Sequence, residues 1–190
     1  SQKRMAMMLG RDSVDEAAAE LGKLMQAKPP TSFRETISLL GTALELRHAK
    51  PKKVNDGPCK EVIIKADDLK NAGTELPTLL NLPIQQCWPQ DAGRFITLPL
   101  VITRDPETGV RNVGTYRMQV YDGQTAGMHW QTHKVGAHHY RASEEAGMER
   151  LDVAVALGGD PTTMWTGSLP LPPDMDEIMV SGVIRGEAVQ

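Results

Sequence analysis

The first quarter of the chain alternates apolar and polar positions at helical spacing. A short Met- and Ala-rich stretch from Arg4 to Leu9 predicts a helix closed by Gly10. Ser13-Val14-Asp15-Glu16 reads as a capping box, with Val14, Ala17, Ala18, Leu21, Leu24 and Met25 forming one apolar stripe behind it. Pro29-Pro30 ends that helix. A second stripe (Ile37, Leu40, Ala43, Leu44) predicts a helix from Phe33 to His48, stopped before Pro51. The pattern changes near Gly57-Pro58-Cys59. The apolar run Val62-Ile63-Ile64 predicts a short strand, and 66–91 reads as short helix and loop.

From Gly93 onward the period is mostly two. Strands are predicted over Phe95–Thr103, Asn112–Tyr121 and Gly127–Thr132, with a turn at Asp105–Gly109 and a hairpin signal at Asp122-Gly123. A helix is expected over Tyr140–Met148 and a buried strand over Leu151–Leu157. Asp160 should cap a short helix after Gly158-Gly159. A proline-rich loop over Leu169–Asp174 and a last strand over Ile178–Arg185 complete the reading. Helices first and a largely antiparallel sheet or barrel afterwards make the fold class α+β. The boundary falls between a helical segment, 1–56, and a domain over 57–190.

Composition narrows the function classes. The hydrophobic set at 40% together with 17 Gly reaches about half the chain, which suits a packed core. A net charge of -3 from 21 basic and 24 acidic residues, without a basic patch, argues against nucleic acid as partner. There is no apolar run of membrane-spanning length and no signal-peptide pattern. Cys59 and Cys87 are too few for a disulfide framework, so a reducing cytoplasm is expected. The start at Ser1 and the end at Gln190 suggest a piece of a longer protein.

Chemistry concentrates in one stretch. Four of the five histidines lie between His129 and His139, beside Trp130, Gln131 and Lys134. Five of the eight aromatic residues fall between Tyr116 and Trp165. His129 and His133 share parity, so a strand or a helix would put both on one face. Asn112, His133 and Glu177 would form a mixed oxygen and nitrogen set suited to Mn or Mg. Arg117 offers a planar fork for carboxylate or phosphate, Lys134 a point charge, and Trp130 a stacking surface. His138-His139 reads as a surface or helix-start pair. From the residues alone these positions define an α+β domain with an oxygen-rich metal or anion site; a His-cluster metallohydrolase stays open.

The motifs resemble a known family. Asn112-Val113-Gly114-Thr115-Tyr116-Arg117, Met128-His129-Trp130-Gln131-Thr132-His133-Lys134-Val135-Gly136-Ala137-His138, Gly158-Gly159-Asp160-Pro161, the stretch from Pro170 to Glu177, and Gly182-Val183-Ile184-Arg185-Gly186 occur in the order found in the UbiD reversible (de)carboxylases. The resemblance implies a split β-barrel related to the flavin reductase FMN-binding barrel, preceded by N-terminal helices. It implies prenylated FMN held through its phosphate by Mn²⁺, with K⁺ near the Thr166–Leu169 loop. Asn112, His133 and Glu177 match the metal ligands. Thr115, Tyr116, Arg117, His129, Trp130, Gln131, Lys134 and Val135 match the cofactor-lining stretches, and Arg117 the catalytic arginine that pairs with the substrate carboxylate. The substrate would be an aromatic or α,β-unsaturated carboxylic acid, the cofactor would come from a flavin prenyltransferase, and the full-length enzyme would be a homo-oligomer. The family's acidic motif lies downstream of the Arg-Gly pair, and this chain ends four residues after Gly186. An inactive fragment, or a non-catalytic flavin-binding subunit, is therefore expected. Finally, Asn112 and Arg117 are five apart and would face opposite sides of a regular strand, which predicts a break, placed at Gly114 or by starting the strand after Asn112.

Overall fold

The computed structural model describes residues 1–26, 46–71, 77–172 and 175–190. Helix α1 (Gln2–Met8) and helix α2 (Val14–Gln26) meet at Gly10, whose φ of 67° is left-handed. The Ser13 hydroxyl accepts the Glu16 N–H at 3.1 Å, but the Glu16 carboxylate turns to Arg11, so half of the capping box forms. The helix expected over 33–48 lies outside the described residues except for a single 3₁₀ turn at Leu46–His48. Val62-Ile63-Ile64 is not a strand: Val62 and Ile63 are 76% and 66% exposed, and no strand among the described residues pairs with the run. Helix α3 (Ala66–Asn71) follows.

Among the described residues, six short strands build two antiparallel sheets. They are β1 (Phe95–Ile96), β2 (Leu100–Arg104), β3 (Arg111–Thr115), β4 (Met118–Val120), β5 (Ala126–Met128) and β6 (Ala154–Ala156). One sheet has the order β1-β4-β5 and the other β3-β2-β6. The expected strand over 95–103 is cut at Leu98-Pro99, where Pro has no N–H to give a ladder. The chain changes sheet there and returns at Tyr116-Arg117, so these corners join the two sheets. Among the described residues the ladders stay open rather than closing into the expected split barrel. The two tight turns are as expected. Asp105 accepts the N–H groups of Glu107 and Thr108, and Asp122 those of Gln124 and Thr125. The third expected strand is shorter, ending at Met128, and β6 sits at a sheet edge with Val153, Val155 and Leu157 exposed rather than buried.

Helix α4 (Val135–Glu145) begins five residues before its expected start. It buries Gly136, Ala137, His139 and Ser143 on one face. Helix α5 (Pro161–Thr166) has the expected cap, with Asp160 accepting from Thr163 N–H at 3.1 Å and Pro161 at its first position. The last element corrects the expected strand: Glu177–Arg185 is helix α6. Its β-branched run imitates a strand, yet Val180, Val183 and Ile184 recur at helical spacing. Asp176 accepts from Ile178 and Met179 N–H, and Gly186 closes the helix at φ 67°. Leu9, Ala17, Val180 and Ile184 form a buried cluster, with Leu21, Trp165, Leu171 and Met175 packed against it. None of the described helices is long and apolar enough to cross a membrane.

Candidate functional site

Strand β3 is an edge strand, and its outward N–H groups locate the site. Its other side pairs with β2, with Asn112 opposite Thr103. The Val113 N–H donates to the Glu177 carboxylate at 3.0 Å, and the Thr115 N–H donates to the Gly167 carbonyl at 3.0 Å. The first turn of α6 and the loop after α5 are thereby pinned along one edge. Arg111 donates from Nε and Nη2 to one oxygen of Asp176, Oδ2, at 3.0 and 2.6 Å.

The break expected at Gly114, or from a strand starting after Asn112, occurs instead at Tyr116-Arg117. Strand β3 runs regularly through Thr115, and the chain turns at Tyr116-Arg117 into β4. Tyr116 folds back across Gly114. A Cβ on Gly114 would lie 2.7 Å and 2.8 Å from Cζ and Oη of that ring, so only glycine leaves room. The Tyr116 hydroxyl accepts the Gly136 N–H at 3.2 Å and the Asn112 amide at 3.4 Å. It therefore joins the buried Asn112 to the first turn of α4.

Trp130 supports this arrangement from behind. Its ring stands edge-on to Tyr116 at 6.3 Å and tilted against Tyr140 at 5.9 Å. It lies against Gly136, and its indole N–H is buried without a hydrogen-bond partner. Arg117 is exposed: its guanidinium lies 4.7 Å above the Phe95 ring and 3.4 Å from His129 Nδ1.

Two cavities adjoin at Thr115, Tyr116 and Lys134. One, about 260 Å³, is also lined by Arg117, His129 and Gln131. The other, about 460 Å³, is lined by Asn112, His133, Val135 and Glu177, with Val113, Gly114 and the loop Gly167–Leu171. The structure thus brings Asn112, His133 and Glu177 to one cavity and the cationic residues Arg117 and Lys134 to its neighbour. Trp130 lines neither. In the Thr166–Leu169 loop the Thr166 hydroxyl donates to the Thr163 carbonyl at 2.9 Å, and Ser168 Oγ lies 3.2 Å from Thr115 Oγ1.

Burial pushes the Glu177 carboxyl above the ordinary carboxylate range, and Asp176 adds to this. The N–H groups of Glu177 itself and Val113, and the Arg111 charge, pull less strongly the other way. A half-buried carboxylate with few compensating donors suits a cation. Sequence reasoning missed Gly136 and the Arg111–Asp176 pair, and took Gly114 for a bulge rather than the seat of the Tyr116 ring. Their role is to bring elements into contact, and the only local signal was small residues beside aromatic ones.

Residues 51–190 match the model of the UbiD 3-octaprenyl-4-hydroxybenzoate carboxy-lyase Rift-related domain. The chain belongs to the UbiD family. It is 42% identical over 190 residues to an uncharacterized protein of Archaeoglobus fulgidus and covers 37% of that protein. It is 40% identical over the same length to one of Aquifex aeolicus, again covering 37%. The chain therefore spans little more than a third of the length of these relatives. Among solved structures, it superimposes on an evolved dimeric form of the UbiD-class enzyme HmfF from Pelotomaculum thermopropionicum in complex with prFMN. That match has a TM-score of 0.74 and 24% identity, and covers 99% of this chain and 37% of that one. The closed form of vanillic acid decarboxylase from Sedimentibacter hydroxybenzoicus matches at TM-score 0.72 and 24% identity, over 100% of this chain and 36% of that one. These likenesses show a shared UbiD fold.

Proposed function

We propose that this chain carries the flavin- and metal-binding part of a prenylated-FMN-dependent enzyme for reversible decarboxylation of an aromatic or α,β-unsaturated carboxylic acid. The observation that carries the reading is the pair of adjoining cavities, one with a carboxamide, an imidazole and a carboxylate and the other with Arg117 and Lys134.

The donor set fits. Asn112, His133 and Glu177 would hold Mn²⁺, since two oxygen donors and one imidazole suit that ion. The Thr166–Leu169 loop would contribute to a K⁺ site. Lys134, which lines both cavities, would supply positive charge to a phosphate. Thr115, Tyr116, His129, Gln131 and Val135 would line the flavin, and Trp130 would act from behind by fixing Tyr116. Prenylated FMN, when bound, supplies an electrophilic centre for the electron pair that departing CO₂ leaves behind. Arg117 would hold the substrate carboxylate by its planar fork, a positioning effect. Its perch on Phe95 leaves the guanidinium exposed toward the smaller cavity.

Among the described residues, Glu177 is the only carboxylic acid lining either cavity. Glu187 lies instead within 3.6 Å of Arg185. On this reading the group that returns a proton to carbon comes from outside these 190 residues, and the chain alone binds flavin without turnover. The same observation favours a second reading, a non-catalytic flavin-binding subunit of a larger carboxylase.

Co-expression with a flavin prenyltransferase in Mn²⁺-supplemented medium, followed by mass spectrometry of the bound small molecule, tests the assignment. Prenylated FMN or FMN at near one per chain is expected, with loss in Lys134→Ala. A folded, Mn²⁺-supplied chain holding neither flavin would remove the reading. Adding the rest of a longer relative in trans separates the two roles: CO₂ release from an aromatic or cinnamate-type acid supports the enzyme part, and continued inactivity with flavin bound supports the subunit.

A further inference from the structure

We propose that Asp105, His138 and His139 form a second metal site, built for a divalent ion of the zinc class. It shares no residue with the Asn112, His133 and Glu177 set and does not depend on the flavin reading. One ligand atom from each of the three residues lies within 4.8 Å of the other two. His139 Nε2 and Asp105 Oδ2 are 4.0 Å apart. Two donors on a tetrahedral zinc, each roughly 2.1 Å from the ion, stand about 3.4 Å apart, so a small closure brings this pair to bonding geometry.

Two of the three side chains, His139 and Asp105, are already oriented as a ligand requires. The His139 ring is buried, at 4% exposure, and its Nδ1 is bonded to the Thr103 hydroxyl at 2.9 Å. That contact turns Nε2 toward Asp105, as the outer contact of a metal-bound imidazole does. Asp105 Oδ1 is occupied by the N–H groups of Glu107 and Thr108, at 2.9 and 2.8 Å, which leaves Oδ2 for His139 and an ion. His138 is exposed, with its ring 6.2 Å from that of His139, so the third donor sits at the rim of the cluster.

A simple ion pair explains the cluster less well. A separation of 4.0 Å is too long for a hydrogen bond. Burial pushes the His139 pKa down, with the Asp105 charge opposing and His138 reinforcing the shift, so the ring is held toward its neutral, ligand-competent form. The Thr108 N–H, ahead of other contacts, holds Asp105 below its ordinary carboxylate value, which keeps it ionised. A neutral imidazole and an anionic carboxylate facing one another suit a cation between them. Two imidazoles and one carboxylate favour Zn²⁺ or Co²⁺ over Mg²⁺ or Mn²⁺, which prefer oxygen-rich sets. The ion would clip the turn after β2 to the first half of α4, the helix that follows Lys134.

The test uses the full chain after chelator treatment, titrated with Zn²⁺ in the presence of excess Mn²⁺ and followed by calorimetry. Two variants preserve the fold. His138→Gln changes an exposed ring, and Asp105→Asn keeps the Oδ1 acceptor of the turn while removing the charge. About one Zn²⁺ per chain is expected at micromolar or tighter affinity. Each variant should weaken it at least tenfold, while Glu177→Gln leaves it unchanged. Histidine-ring NMR of the unmutated chain should show His138 and His139 shifting together with the first equivalent. No zinc uptake at 100 μM metal, uptake indifferent to His138→Gln and Asp105→Asn, or unshifted ring signals would each overturn the site.

Discussion

At the scale of single residues, space and charge decide more than hydrophobicity. Gly114 lies under the Tyr116 ring, so Gly114→Ala should cost about 1–3 kcal/mol as an overpacking change. It should also move the hydroxyl that joins Asn112 to Gly136. Chemical denaturation should register the change, and Mn²⁺ affinity at the proposed Asn112, His133 and Glu177 set should fall with it. Gly22 in α2 makes the control, since a Cβ there meets nothing within 4 Å, and Gly22→Ala should stabilise by roughly 0.5–1 kcal/mol. Asp122 gives a pH-dependent prediction. The Gln124 N–H, first among its contacts, lowers its pKa from the ordinary 3.8. A depressed folded-state pKa contributes stability that is present above the unfolded value and fades as pH falls through the folded one. Asp122→Asn keeps the turn acceptor without the charge. The melting-temperature difference between the two proteins should therefore be visible near pH 5–6, begin to shrink below about 3.8 and vanish only below the lower folded-state value. A difference constant down to pH 3 would show that the ionised form is not favoured by the fold.

Secondary elements carry the next level, and caps dominate there. Asp160 accepts the Thr163 N–H, contacts the Thr163 hydroxyl and binds Arg185 at 2.9 Å, so it ties α5 to the end of α6. Asp160→Ala should cost about 2 kcal/mol, one share from the lost cap and one from the stranded charge, as read by urea denaturation. That cap was legible in the sequence because Gly-Gly-Asp-Pro is a local signal. So were α1, α2 and the turns at Asp105 and Asp122, whose hydrogen bonds close within a few residues. Helix α6 was not, because Ile178, Val180, Val183 and Ile184 satisfy strand propensity. Only Asp176 and Gly186 at its ends, and the 3.6-residue spacing of its buried positions, mark it as a helix. The candidate site shows the same divide. Asn112, His133 and Glu177 were legible through motif order and do line one cavity. The break between Asn112 and Arg117 was legible as a parity conflict. Its position at Tyr116 was not, since it depends on Tyr116, Trp130 and Gly136 packing across elements distant in sequence.

For the molecule as a whole, α6 is where the helical and sheet halves meet. Its first turn is bonded to β3 through Glu177 and Asp176. Its middle lies against the turn at Leu46–His48, where a Cβ on Gly182 would collide with the His48 carbonyl. Its last turn is gripped by Arg11 from the α1–α2 connection: Nε donates to the Ile184 carbonyl at 2.5 Å and Nη2 to the Val183 carbonyl at 3.1 Å. Glu20 and Glu16 hold the same guanidinium from α2. The Arg11 side chain is only 16% exposed, so these bonds are partly shielded from water. A lysine keeps the charge but not the planar fork, and cannot reach both carbonyls and both carboxylates from one nitrogen. Arg11→Lys should therefore destabilise by about 2–3 kcal/mol, because partly buried carbonyls lose charged donors. The loss should appear first as faster amide exchange at Val183–Gly186, the end of α6 that Arg11 holds, while exchange across β2 and β3 stays slow until global unfolding. Hydrogen exchange by mass spectrometry resolves the two regions. Equal protection of 183–186 in both proteins would mean that apolar packing of Val180 and Ile184 on Leu9 and Ala17 suffices to dock the helices without the fork.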